Sequence, residues 1–234
     1  MPETGSNIMT NRNDRISIQV GLGGYSFRIY DNSGLHYSGW KNADSFFTTT
    51  ELQHRYSNVE IAVFTPYCTL VPEDFFRPES AREQLSEVVR LPENSSVKYL
   101  QVPEYGAVMI YSDNIDGTLH KVVSESVLRT DGTKAQPYPE MYCMLKELSA
   151  ISEYNRILAS YCDGVLYLAI AQGKTLMLCN SYQAQDFTTA EYYIFLAMKK
   201  FQLNPEVSTV TFRTPLTMEQ EMSLYRYFRS VDVI

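Results

Sequence analysis

Three segments of the 234-residue chain carry residue types that could act on a ligand. The first is Gly21-Leu22-Gly23-Gly24, which follows the alternating run Ile16-Ser17-Ile18-Gln19-Val20. Glycine amides after a strand can hold phosphate, as in the dinucleotide fingerprint, but that motif needs a third Gly or Ala and then a helix. Here the third position is Ser26, and Tyr25, Phe27 and Ile29 alternate as a returning strand. A hairpin turn is the better reading. The second segment is Gly173-Lys174-Thr175, which mimics the end of a P-loop. The required earlier glycine is Leu168, and Leu176-Met177-Leu178-Cys179 favours a strand over a helix, so a basic hairpin turn is expected. The third is Tyr192-Tyr193-Ile194-Phe195-Leu196-Ala197-Met198, apolar or aromatic all round. Ala190, Tyr193, Ile194, Ala197 and Phe201 give one face for packing on a sheet. Tyr192, Phe195 and Leu196 are left for deeper burial or for a protein partner or a second copy.

Other chemistry has weaker support. His36, His54 and His120 are scattered, with no His-Glu-x-x-His spacing and no Gly-x-Ser-x-Gly elbow. Cys68, Cys143, Cys162 and Cys179 form no Cys-x-x-Cys pair and read as reduced core thiols. Glu73-Asp74 reads as a solvated loop rather than a cation site. No catalytic or metal-ligating set is expected. Twenty basic against 27 acidic residues give a net charge of −7, which argues against nucleic acid as the main partner and against a polybasic membrane anchor. No apolar run reaches the roughly 18 residues of a membrane span. The polar first 14 residues do not read as a signal peptide but as a disordered tail, and a cytoplasmic location is expected.

The surrounding pattern alternates strands and helices, which implies an α/β class. Hairpins are expected over 16–30 and 165–180, with further strands at 35–41, 59–65, 98–102, 107–112 and 207–213. Helices are expected from Ser80, Pro139, Thr188 and Thr217, three of these on capping-box spacing. The helix from Pro139 runs to about Ser160 on the spacing of Met141, Leu145, Leu148, Ile151, Tyr154 and Leu158. Asp113 to Pro139 is loop-rich, with a short helix over 119–128. The two halves share an element order, which predicts two related lobes over 15–138 and 139–234.

With these segments in place, the chain resembles a bacterial family of uncharacterised proteins with an actin-like ATPase (ribonuclease H-like) fold. The resembling residues are Ile16 to Gly21 with the returning strand, Leu70-Val71-Pro72-Glu73-Asp74-Phe75-Phe76, and Asn180 to Phe187 running into the helix. The resemblance implies two lobes, each with a mixed β-sheet and flanking helices, around a nucleotide cleft. It also implies phosphate-holding turns at Gly21, Gly23 and Gly24 and at Gly173 and Lys174. The superfamily's first hairpin carries an Asp two residues before a Gly, and here that position is Gln19. A neutral amide does not replace a carboxylate in holding magnesium. The second hairpin, taken as Ala169-Ile170-Ala171-Gln172-Gly173, has no acid. The expectation is a non-catalytic binding or assembly module without a cofactor. The alternative is a divergent ATPase using ATP with magnesium.

Overall fold

Strand β1 (Arg15–Val20) pairs antiparallel with β2 (Gly24–Asp31) from Arg15↔Tyr30 to Val20↔Tyr25. Ile16, Ile18 and Val20 join Phe27 and Ile29 in one apolar core, as alternation requires. The other face should be wet, yet Ser17, Gln19, Ser26 and Arg28 are all buried. The computed structural model describes residues 14–112 and 118–234. The expected tail lies outside the described residues except for Asp14, as do residues 113–117.

Strand β3 (Gly34–Tyr37) extends the hairpin, and β4 (Lys41–Asn42) pairs with the start of β2. Two 3-10 turns, Ala43–Thr48 and Thr50–Gln53, cover the apolar face with Phe46 and Leu52. Strand β5 (Asn58–Val63) returns parallel to β1. A small antiparallel sheet follows, built from β6 (Cys68–Pro72), β7 (Lys98–Val102) and β8 (Ala107–Tyr111) with β8 central. Helix α1 (Ala81–Ser86) packs on it through Leu85. Helix α2 (Leu119–Ser126) leads to β9 (Pro137–Pro139), which completes the first sheet in the order β3-β2-β1-β5-β9.

Helix α3 (Glu140–Ala150) begins directly after β9. Then β10 (Asn155–Cys162), β11 (Val165–Gln172) and β12 (Thr175–Gln183) form consecutive hairpins. Helix α4 (Phe187–Lys200), β13 (Thr209–Phe212), α5 (Met218–Leu224) and β14 (Ser230–Val233) follow. The second sheet has the order β12-β11-β10-β13-β14. In both sheets the first strand pairs antiparallel on one side and parallel on the other. β10 is therefore the counterpart of β1, and β13 of β5.

Four local expectations differ from the structure. The helix from Pro139 stops at Ala150, and 155–162 is a central strand. Ile157, Leu158 and Ala159 are all buried, and a strand covered on both faces shows no alternation that would mark it off from a helix. The repeating pair is consequently β1–β2 with β10–β11, one strand earlier than the hairpin over 165–180. The Ser80 capping box does not form. The helix expected from Thr188 starts at Phe187, because the Asp186 carboxylate accepts from the Thr189 amide at 2.7 Å. The Thr217 box is present: its hydroxyl accepts from the Gln220 amide, and the Gln220 side chain accepts from the Thr217 amide.

Candidate functional site

Helix α3 lies between the two sheets and presents a different face to each. Met141, Met144, Leu145 and Leu148 stand at spacings of three and four and pack on Leu158, Tyr167, Ala169 and Ala171 of the second sheet. Glu140 and Glu147 lie seven residues apart on the other side. They meet the buried polar face of β1, β2 and β5.

Arg213, immediately after β13, supplies the charge that makes this burial tolerable. Its side chain is completely buried. Nη1 donates to Glu140 Oε2 at 2.8 Å, Nη2 donates to Glu60 Oε1 at 3.0 Å, and Nε pairs with Glu147 Oε2 at 2.7 Å. A planar guanidinium can address three carboxylates from fixed directions, which an ammonium cannot. Ser17 Oγ also donates to Glu60 Oε1 at 2.9 Å. Glu140 Oε1 accepts from Gln19 Nε2 at 2.8 Å and from Ser160 Oγ at 2.6 Å. The contacts join β1, β5, α3, β10 and the end of β13 in one network.

Burial pushes the Glu140 carboxyl up, and the Arg213 guanidinium pulls the other way. Burial also works against the charge of Arg213, but Glu140 and Glu147 outweigh it and hold the guanidinium protonated. Both Glu140 oxygens are engaged, and the residue has no exposed surface. It therefore presents no free oxygen to a magnesium ion or a water nucleophile. Gln19 is committed as well, since its Oε1 accepts from Ser26 Oγ at 3.2 Å.

Beyond this network the two lobe hairpins meet turn to turn. The Gly21 amide donates to Gly24 O at 2.9 Å, and the Leu22 amide donates to Asp163 Oδ2 at 2.7 Å. The turn amides expected to hold phosphate thus have partners at Gly21 and Leu22. Gly21 is required by closeness: a Cβ there would stand 2.6 Å from Asp163 Oδ2 and 2.8 Å from Cys162 Sγ. A Cβ on Gly24 would stand 2.3 Å from Lys41 O, while one on Gly23 would meet nothing. Leu22, Phe64, Pro66, Tyr67, Asp163 and Tyr167 are among the residues around a cavity of about 130 Å³ beside these turns. Its lining is largely aromatic and aliphatic.

Asp163 was not reached from the sequence. It sits on the β10–β11 turn with Gly164, the true counterpart of the Gly21 turn. Its signal was the Asp-Gly pair between two apolar runs, hidden by the helix extended to Ser160. Gly173 and Lys174 form the next turn, beyond the Asn155↔Gln172 end of the β10–β11 ladder. An eight-residue strand separates the two turns, about 25 Å. The structure thus keeps Gly173 and Lys174 away from Gly21, Gly23 and Gly24.

On α4, Tyr192 is 60% and Leu196 47% exposed. Phe195 is half-buried, edge-on to Tyr227 at 5.0 Å and stacked on Phe228 at 5.6 Å. The expected patch therefore has two open members and one anchored in the lobe. The four cysteines are free. Burial pushes the Cys68 thiol up to about 12 and raises Cys143, Cys162 and Cys179 as well, which leaves them protonated and unreactive at neutral pH. Among the described residues no three His, Cys, Asp or Glu side chains are grouped to hold a metal ion. No described helix is long and apolar enough to cross a membrane.

Two sheets of matching strand order joined through α3 define an actin-like ATPase fold, and comparison with solved structures agrees. The chain superposes on a Bacteroides thetaiotaomicron protein with an actin-like ATPase fold and unknown function, with a TM-score of 0.64, 17% identity, and coverage of 97% of this chain and 93% of that one. It also matches a PilM–PilN type IV pilus biogenesis complex at a TM-score of 0.49 and 10% identity, covering 95% of this chain and 88% of that one. The cytoplasmic domain of EpsL, an inner-membrane component of the Vibrio cholerae type II secretion system, matches at 0.46 and 10%, covering 88% and 84%. No curated protein matches in sequence. Residues 4–231 match the model of a family described as a protein of unknown function, DUF3822, and the chain belongs to that family.

Proposed function

We propose that this protein is a non-catalytic member of the actin-like fold, a binding or assembly module that works through protein contacts. The observation that carries the reading is the Asp163 carboxylate on the Leu22 amide, where the two hairpin turns approach each other. A phosphate placed at that amide would have to displace a carboxylate. Gln19 in place of an acid, and Glu140 consumed by Arg213, Gln19 and Ser160, support the same reading. The expected contact surface is the aromatic face of the second lobe around Tyr192 and Leu196, continued through Phe195 to Tyr227. Tyrosine suits a surface that is wet until a partner covers it. The proposed partner is a protein, with a second copy as the other candidate, and not nucleic acid or a membrane. The proposed location is the cytoplasm, and the proposed lobe boundary falls between Tyr138 and Pro139.

One observation favours the alternative, a divergent ATPase binding ATP with magnesium. Asp163 stands on the turn equivalent to Gly21 and is exposed, so a cleft opened by ligand could offer a single carboxylate. Thermal unfolding with ATP or ADP, with and without magnesium, separates the two. A ligand at 100 times its dissociation constant adds about 2.7 kcal/mol. The binding-module reading predicts no magnesium-dependent nucleotide shift. A magnesium-dependent shift that disappears in Asp163→Asn supports the ATPase. For the surface, Tyr192→Ser with Leu196→Ser is the clean variant, because Phe195→Ser would also disturb Tyr227 and Phe228. It should abolish association and leave a folded monomer.

A further inference from the structure

At the other end of β1 from the hairpin turns, α3 and the polar face of the first sheet enclose a second cavity of about 200 Å³. Arg15 to Gly21 is six residues of extended chain, so this cavity lies about 20 Å from the Gly21 turn. We infer that it is a binding site for a small anion carried on an aromatic ring, either a carboxylate or a phosphate. The site is independent of the interlobe turns.

The charge distribution comes first. The cavity wall contains Arg15, Arg129 and Lys146, and among the described residues none of the three is in an ion pair with a carboxylate. Glu60 and Glu147 also line it, but both are already turned toward Arg213. Behind the wall stands Arg28, buried to 4% exposure and opposite Ser17 in the β1–β2 register. Its Nη1 and Nη2 have no hydrogen-bond partner, and its nearest carboxylate is Glu147, at 3.8 Å. The wall itself holds three cations, Arg15, Arg129 and Lys146, against the two carboxylates of Glu60 and Glu147, and Arg129 also donates to Lys134 O and lies near Asp131. Positive charge is in local excess in a protein whose net charge is −7. Low-dielectric walls concentrate such a field, so an anion is the ligand it attracts.

Shape then selects the rest of the ligand. Tyr30 lines the cavity, with the Arg15 guanidinium 4.0 Å above its ring. Tyr138 and Tyr142 line it as well, their rings 5.2 Å apart, with Lys146 5.5 Å from the Tyr142 ring. The three tyrosines give the cavity aromatic walls that suit a flat ring, and the exposed Arg15 and Lys146 offer charge-assisted hydrogen bonds to its anionic group. A bare inorganic anion would use the charge but leave the aromatic walls unfilled.

The test is calorimetric titration of the full chain with phenyl phosphate, benzoate, inorganic phosphate and benzyl alcohol. Phenyl phosphate or benzoate should bind, inorganic phosphate more weakly, and neutral benzyl alcohol not measurably. Affinity should fall as salt is raised. Arg15 and Lys146 are exposed, so Arg15→Ala with Lys146→Ala should keep the melting temperature and weaken binding at least tenfold. Asp163→Ala should not weaken binding, which separates this site from the hairpin turns. Failure of both aromatic anions at millimolar concentration would overturn the inference. So would equal binding of benzyl alcohol, or binding that survives the double substitution.

Discussion

The two sheets share a strand order and face α3 with opposite chemistry. The second sheet meets the helix through Leu158, Tyr167, Ala169 and Ala171, and its other face packs Ile157, Leu166, Leu168 and Ile170 under α4. The buried residues of its strands β10 and β11 are apolar on both sides apart from Ser160, which reaches Glu140. The first sheet has one apolar face and one buried polar face, where Ser17, Gln19, Arg28 and Glu60 meet Glu140, Glu147 and Arg213. An apolar contact is non-directional and tolerates repacking. A buried charge network does not tolerate the loss of one member, because the charges left behind have no water to turn to. The same topology therefore has a forgiving half and an exacting half.

The most severe break in that contrast is Arg213→Ala, which strands the fully buried Glu140. A loss of about 3–5 kcal/mol is expected, read as a lower urea midpoint. Replacing the pair together, Arg213→Met with Glu140→Leu, should recover most of that loss, since apolar groups of similar volume often match a buried ion pair. If the single substitution is neutral, the polar half is not exacting.

Gly21→Ala comes next. The new Cβ meets Asp163 and Cys162 across the turn contact, and overpacking of this kind costs about 1–3 kcal/mol. Gly23→Ala, which meets nothing, is the control. Equal stability of the two variants would mean that the hairpin turns do not touch.

Thr217→Ala should remove about 1 kcal/mol from the second lobe by deleting the capping box of α5. Its effect should be confined to the second lobe, with amide exchange in β1 and β2 unchanged.

The smallest effect is confined to alkaline pH. Tyr56 donates to Glu51 O at 2.7 Å, and burial, helped by the charges of Glu51, Asp14 and Asp31, raises its hydroxyl from 10.0 to about 12. The folded state keeps this proton where the unfolded chain has lost it. The group's contribution is therefore full below about pH 10 and fades as pH rises through about 12. Tyr56→Phe cannot lose a proton, so its stability should fall less steeply with pH across that window. Identical slopes for the two proteins would remove Tyr56 from the account.

These expectations also show where the sequence could be read. The first hairpin was legible because Ile16, Ile18, Tyr25 and Phe27 alternate and glycines mark the turn. α5 was legible because Thr217 and Gln220 stand at capping-box spacing. β10 was not, because its buried residues continue the apolar spacing of α3 and no Gly or Pro separates them. That one merger hid Asp163-Gly164, misplaced the second hairpin, and made Gly173 and Lys174 look like a phosphate turn. Glu140, Glu147 and Arg213 were invisible for a different reason. Each is an ordinary charged residue in sequence, and their burial arises only when α3, β5 and β13 are brought together from positions 60, 140 and 213. Gln19 was flagged through the family resemblance, as an absence of acid, while its bond to Glu140 is a property of the fold alone.

The central claim is that the chain's own side chains occupy the place where an actin-like ATPase would hold nucleotide. Its most direct measurement is calorimetric titration of the full chain with ATP and magnesium, alongside Asp163→Ala. The account predicts no magnesium-dependent binding heat for the native chain. In Asp163→Ala the freed Leu22 amide should accept phosphate weakly and without need of magnesium, as exposed backbone amides do. Magnesium-dependent ATP binding by the native chain, lost in Asp163→Ala, would contradict it.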